Sequence, residues 1–499
     1  MSSALNNVNS LRTDVILSIW LILPAIAIFY YWKWSRSRTV RLINAIPGRK
    51  PLPLLGNLLH WDVFSEDFYR DMATSWTKKY GPIARVWFGP RPFVAIASPE
   101  LAQKFLSTTK HYTMANDFSL LGDWLGNSLF LSTGAHWKNR RRLVTPVFHI
   151  QNFDSFIDIF NEESSICAAE FEKMIETNPD KEINVTRVMT QCALNIICES
   201  AMGQTKLEKE KQVYISNVQR YCQIFIRRVQ RPWLSINWIY RMTSLRREYE
   251  RCLSVMHAFT NKVARERREM FEQSVKKNSD QLPNDVIVDE KPKSTSRFAM
   301  VDRLIEASYE GADLDDTGIR EEINMLTFAG HDTTSIAMGW FLYLIAKHPT
   351  HQQMIVDELD SVFRGDRDRP CTLQDVSELQ YMERCIKETL RLYPSVPVLV
   401  RKVSQDIEIG GYTIPAGVTV IPFFYYIHHD PDLYPDPEAF KPERFFPENS
   451  IDRHPYAFIP FGAGPRHCLE CHVRPLVLNP IEVFTSALQK LSVTEEFFN

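Results

Sequence analysis

Between Asp313 and Pro349 the chain reads DLDDTGIREEINMLTFAGHDTTSIAMGWFLYLIAKHP, an acidic start followed by an apolar-rich run with no proline until position 349. Carboxylates at a helix start and a proline after its end are the ordinary boundary signals. The spacing therefore predicts one helix of about 30 residues, roughly 45 Å long. A mean globular helix has only about 11–12 residues, so this one must run through the middle of a domain with the remaining elements packed around it. Its centre, AGHDTTS at 329–335, is the anomaly. A glycine costs about 1 kcal/mol relative to alanine in a helix interior, and buried polar groups need partners. Two readings stand for this patch: a functional site that breaks local rules, or a solvated strip whose hydroxyls bond back to helix carbonyls.

With 499 residues, 44% apolar and 24% charged, the chain can bury one large core or two to three smaller ones. A net charge of −2 gives no basic face for nucleic acid. The nine cysteines, an odd number without regular spacing, indicate free thiols in a reducing compartment. A glycine-rich dinucleotide fingerprint is missing, so electrons for any redox chemistry must come from another protein.

Residues 15–32, VILSIWLILPAIAIFYYW, carry no charge. As a helix they span roughly 27 Å, the thickness of an endoplasmic reticulum bilayer. Arg12 is offset by Asp14, whereas Lys33, Arg36, Arg38 and Arg41 follow the run. This flank predicts a retained transmembrane anchor with the rest of the chain cytosolic. The expected order is a short luminal stretch at 1–14, the anchor at 15–32, a basic flank and proline-rich hinge at 33–57, and a catalytic domain at 58–469. Strands are expected around Gly89-Pro90, helices near 155–175, 185–203 and 245–272, and a polar loop at 273–297. Helix dominates, so the fold class is mainly α with a small sheet-rich N-terminal lobe.

The remaining motifs are weak one by one. Trp137 and Arg141 are four apart on one helical face. Glu388 and Arg391 form an i,i+3 pair, worth a few tenths of a kcal/mol on a surface, and Arg444 in FKPERF could reach the same carboxylate. FGAGPRHCLECH at 461–472 supports three chemistries: a thiolate loop ending in Cys468, a C-x-x-C-H haem attachment through Cys468, Cys471 and His472, or a crowded zinc site that adds His467. The last two need ligands packed too closely, or an unrelated maturation apparatus.

Taken in order, Trp137-x-x-x-Arg141, Ala329-Gly330-x-Asp332-Thr333, Glu388-x-x-Arg391, Pro442-Glu443-Arg444-Phe445 and Phe461-x-x-Gly464-x-Arg466-x-Cys468 resemble the membrane-anchored cytochrome P450 family of haem-thiolate monooxygenases. RRRLVTPVFH and GHDTTS are most similar to its fatty-acid omega-hydroxylase branch, family 4. The likeness implies haem b with Cys468 as axial ligand, a soft, electron-rich donor that favours O–O cleavage. It implies propionates held by Trp137, Arg141, Arg401 and Arg466, and protons managed by Asp332 and Thr333, with Gly330 admitting the helix backbone to the porphyrin. Glu388, Arg391 and Arg444 would brace the loop of Phe461, Gly464 and Cys468. It implies an endoplasmic reticulum membrane enzyme that takes electrons from NADPH-cytochrome reductase, with cytochrome b5 as an optional second partner. Lys138, Arg140 and Arg142 would form the docking face.

Two departures from the family accompany the likeness. Ala329 stands where some omega-hydroxylases carry a glutamate esterified to haem, so no covalent attachment is expected. Glu470 replaces a glycine, and Pro475 and Pro480 interrupt the helix that should follow Cys468. Residues 470–499 read as an atypical tail from an alternative exon or shifted frame. The rival expectation is therefore a non-catalytic variant with impaired haem loading.

Overall fold

The computed structural model describes residues 28–469 apart from 54, 61–78, 109–112, 115, 149–153, 178–182, 204–207, 281–299 and 367–368. Most of the expected anchor and all of the atypical tail lie outside the described residues. Within them no helix is long and apolar enough to cross a membrane.

The helical side is built on α1 (Arg38–Ala45), α2 (Pro99–Leu106), α3 (Gly134–Val144), α4 (Asp154–Thr177), α5 (Val185–Met202), α6 (Glu208–Gln230), α7 (Ser244–Asp280), α8 (Asp316–Lys347) and α9 (Gln380–Leu392), with further helices between them. The central helix is α8, with 32 residues. Asp315 caps it by accepting the Gly318 N–H at 2.8 Å, and Pro349 opens the next helix. Apolar residues surround α8, and α5 packs along it. That burial on every side explains why its sequence lacks a single polar face.

The strands are β1 (Ile83–Phe88), β2 (Arg91–Ile96), β3 (Thr113–Met114), β4 (Arg401–Lys402), β5 (Ile407–Ile409), β6 (Tyr412–Ile414) and β7 (Thr419–Pro422). Five make one sheet in the order β1-β2-β7-β4-β3, with β2 and β7 parallel, and β5 with β6 makes a second. The Gly89 turn joins β1 to β2 in antiparallel register, Ile83 opposite Ile96. The proline-rich segment at 46–57 lies against this sheet: the Arg85 N–H donates to the Pro47 carbonyl at 2.8 Å, and the Trp87 N–H donates to Asn57 Oδ1 at 2.9 Å. This seats the segment on β1.

The loop expected at 273–297 begins later. Helix α7 continues to Asp280, because Lys276 and Lys277 are good helix formers and no proline intervenes before Pro283. Residues 281–297 lie outside the described residues.

Candidate active site

Four sets of residues build the site, three lining one cavity and one standing behind it, each placed by its own local chemistry. The first is the cysteine loop. Gly464 has φ +73°, and a Cβ there would stand 2.0 Å from the Leu106 carbonyl oxygen at the end of α2, so only glycine fits. The loop closes when the Cys468 N–H donates to the Phe461 carbonyl at 3.1 Å and the His467 N–H to Gly464 at 3.0 Å.

Behind it stands the second element, a wholly buried ion pair on α9. Arg391 donates Nε and Nη2 to the two oxygens of Glu388, both at 2.8 Å, and Nη1 to the His428 carbonyl at 2.8 Å. Glu388 also accepts the Lys441 N–H at 2.9 Å and faces Arg444 Nε at 3.4 Å. Arg444 in turn donates to the carbonyls of Pro435 and Asp436. Burial holds the His428 imidazole well below its usual range, so it is neutral and accepts the Ile459 N–H at 3.1 Å. Through Ile459, which accepts the Gly462 N–H, the pair is tied to the cysteine loop. His428 carries no sequence motif; nothing in its local residues marks it.

The third element is a set of guanidinium groups. On α3, Trp137 is buried and Arg141 Nη1 donates to the His467 carbonyl at 2.8 Å. Arg466 lies 4.7 Å over the Trp137 ring and donates to the carbonyls of Phe130 and Ser132. Arg401, on β4, is buried with Met114 Sδ at 2.8 Å and the Val400 carbonyl at 3.1 Å as its contacts. Burial alone pushes it down to about 10, and among the described residues no carboxylate pairs with it. Trp137, Arg141, Arg401, Phe461, Arg466 and Cys468 all line the cavity.

Opposite the cysteine, α8 contributes Met325, Leu326, Ala329, Thr333, Thr334 and Ala337 to the lining. The Thr333 hydroxyl donates to the Ala329 carbonyl at 2.8 Å, and the Ser395 hydroxyl donates to the Thr333 carbonyl at 2.8 Å. Asp332 and Gly330 are not in the lining. Asp332 lies instead near Cys222 of α6, its carboxyl raised by burial.

One sequence expectation needs correction. Arg140 is not part of an exposed basic face: it is 5% exposed, with Nε bonded to His136 Nε2 at 3.3 Å and 3.7 Å from Glu322 on α8. At three residues from the buried Trp137 it shares that residue's inward side of α3. Lys138 and Arg142 are exposed.

Residues 46–469 match the family described as "Cytochrome P450". The chain belongs to the cytochrome P450 family. Its relatives include Cytochrome P450 4c3 of Drosophila melanogaster, 36% identical over 464 residues (91% of this chain, 85% of the relative). Cytochrome P450 4V2 of Homo sapiens is 37% identical over 445 residues (88% and 82%), and Cytochrome P450 4c21 of Blattella germanica is 35% identical over 457 (91% and 89%). The chain is thus a P450 monooxygenase of the haem-thiolate type, related to family 4, working with O2 and a redox partner. The residues present suit that group. One thiol and a cluster of guanidinium groups face a common apolar cavity, and the buried, uncompensated charge of Arg401 is what a carboxylated ligand such as a propionate would neutralise.

Proposed function

We propose that this P450 inserts one oxygen atom of O2 into a C–H bond of a long apolar substrate, such as a fatty acid, hydrocarbon or terpenoid. The observation that carries the reading is that Cys468 and Thr333 face one cavity whose other walls are mostly apolar, among them Leu129, Phe130, Met325, Leu326 and Ala337. Haem b, when bound, supplies the oxygen-activating chemistry. Cys468 would supply its thiolate ligand, and Trp137, Arg141, Arg401 and Arg466 would hold the propionates. Thr333 breaks its bond to Ala329 to offer a proton into the cavity, Asp332 is the acid behind it, and Gly330 keeps the helix backbone close. Phe461 and Gly464 shape the thiolate loop, while Glu388, Arg391 and Arg444 brace it. Ala329 offers no carboxylate to the cavity, so the haem is not covalently attached.

The proposed setting is the endoplasmic reticulum membrane, with the catalytic domain cytosolic. Exposed Trp233, Ile236, Trp238 and Met242 beside exposed Arg241 and Arg247 support contact with an anionic lipid surface. NADPH-cytochrome reductase, with cytochrome b5 as a second donor, would meet Lys138 and Arg142.

A second reading has its own observation. The family match stops at Leu469, where Glu470 and then two prolines depart from the expected supporting helix. On that reading the chain is a variant that loads haem poorly and does not turn over. The carbon-monoxide difference spectrum of the reduced protein decides between them. A thiolate-type Soret band supports the monooxygenase; its absence in folded protein supports the variant.

A further inference from the structure

Glu322 is wholly buried on α8, with Arg140 as its nearby cation. A buried carboxylate of this kind stabilises a fold poorly, because the loss of hydration offsets the attraction. Its position suggests another use. Oε1 accepts the Leu129 N–H at 2.9 Å and faces Arg140 Nε at 3.7 Å. Leu129 begins the short stretch whose Phe130 and Ser132 carbonyls receive Arg466. Arg140 lies on α3 between Trp137 and Arg141, and Arg466 stacks on Trp137. The contacts therefore close a ring: Glu322, Leu129, the 130–132 carbonyls, Arg466, Trp137, Arg140 and back to Glu322.

We infer that Glu322 is a positioning residue for the prosthetic group, fixing from one carboxylate oxygen both halves of the clamp that Arg466 and α3 close on the haem propionates. The inference rests on the haem reading above. Glu322 itself does not line the cavity. It lies 11 residues before Thr333 on α8, about 16 Å along the helix, so it acts on cofactor seating and not on the oxygen end. The Gly318 position adds to the fit: a Cβ there would come within 2.4 Å of Arg140 Nη2, so the glycine makes room for the arginine to reach α8.

The test is haem release from the full-length holoprotein to excess apomyoglobin at pH 8, followed by absorbance. Glu322→Leu should release haem at least about tenfold faster, as expected for loss of one hydrogen bond to a charged group. Glu322→Gln, which keeps an acceptor for the Leu129 N–H, should recover most of the retention. Arg267→Met breaks the buried pair with Asp302 between other helices and should lower the melting temperature without speeding haem release. If Glu322→Leu does not fold, Arg140→Met against Arg140→Lys takes its place, with faster release expected in the first and partial recovery in the second. Folded Glu322 or Arg140 variants that release haem at the wild-type rate overturn the inference alone, as does an equal acceleration by Arg267→Met. A wild-type chain that takes up no haem overturns the haem reading and the inference together.

Discussion

Two buried carboxylate–guanidinium pairs, one within α9 and one between α8 and α3, are built differently. Glu388–Arg391 is the saturated one: two bonds of 2.8 Å join the partners, Glu388 also accepts the Lys441 N–H, and Arg391 also donates to the His428 and Ala439 carbonyls, with Arg444 Nε 3.4 Å from the carboxylate. Glu322–Arg140 is open. Its 3.7 Å separation exceeds a hydrogen bond, Glu322 has one backbone donor, and burial pushes its carboxyl up to about 7. Equal burial thus yields a rigid brace in one place and a titratable contact in the other; the count of hydrogen bonds decides which.

The largest way to break the contrast is to cut the saturated pair. Glu388→Ala or Arg391→Ala leaves an uncompensated buried charge, a loss of about 3–5 kcal/mol, and should yield protein with little haem by pyridine haemochromogen assay and a low melting temperature. Near-normal haem content would show that the brace is dispensable.

The open pair is probed by pH. Glu322 titrates above its usual 4.5, so the folded state holds a proton that the unfolded state gives up. The associated stability is complete below about pH 4.5 and is lost as pH rises through about 7. The groups that act on it are Arg140, which lowers it, Glu321, which raises it, and the Leu129 N–H, which lowers it, with His136 bonded to Arg140 behind. Relative to Glu322→Gln, the wild type should lose up to about 3 kcal/mol across that window in urea unfolding. Parallel pH profiles would refute the titration.

Smaller effects are expected where neither pair acts. Thr333→Ala should divert NADPH consumption to peroxide by a few-fold with the haem spectrum intact, since a positioned proton donor is worth about 10²-fold or more only when nothing replaces it. Thr334→Ala should do less, and unchanged coupling in both would remove Thr333 from proton delivery. Reversing Lys138 and Arg142 to glutamate should slow reduction by the reductase at low salt, with the difference fading at high salt. A rate indifferent to charge and salt would put the partner elsewhere.

What the sequence made legible follows from local rules. The boundaries of α8, the Gly89 turn and the Glu388–Arg391 pair could be read because caps, turn residues and close spacing are short-range signals. Arg140 could not be read from RRR, since three adjacent arginines point three ways and only tertiary packing selects the inward one. A signal was present on the other side: Ile319, Glu322, Ile323 and Leu326 keep the i, i+3, i+4, i+7 spacing of a buried stripe. A carboxylate inside such a stripe requires a buried donor. His428 and Ser395 left no comparable trace, because their partners are backbone groups remote in sequence, Ile459 and Thr333. Asp332 and Thr333 look paired in the sequence, and the 100° turn between neighbours on a helix sends them to different surroundings.

Arg401 lies on β4, between β3 and β7 in the five-stranded sheet. Its desolvated charge lifts the free energy of the empty protein, and a bound carboxylate would return that energy to the sheet. A ligand that binds only the folded chain adds stability in proportion to the logarithm of its excess over Kd. The supply of haem would then set how long the polypeptide survives before proteolysis, so abundance itself becomes a readout of cofactor availability.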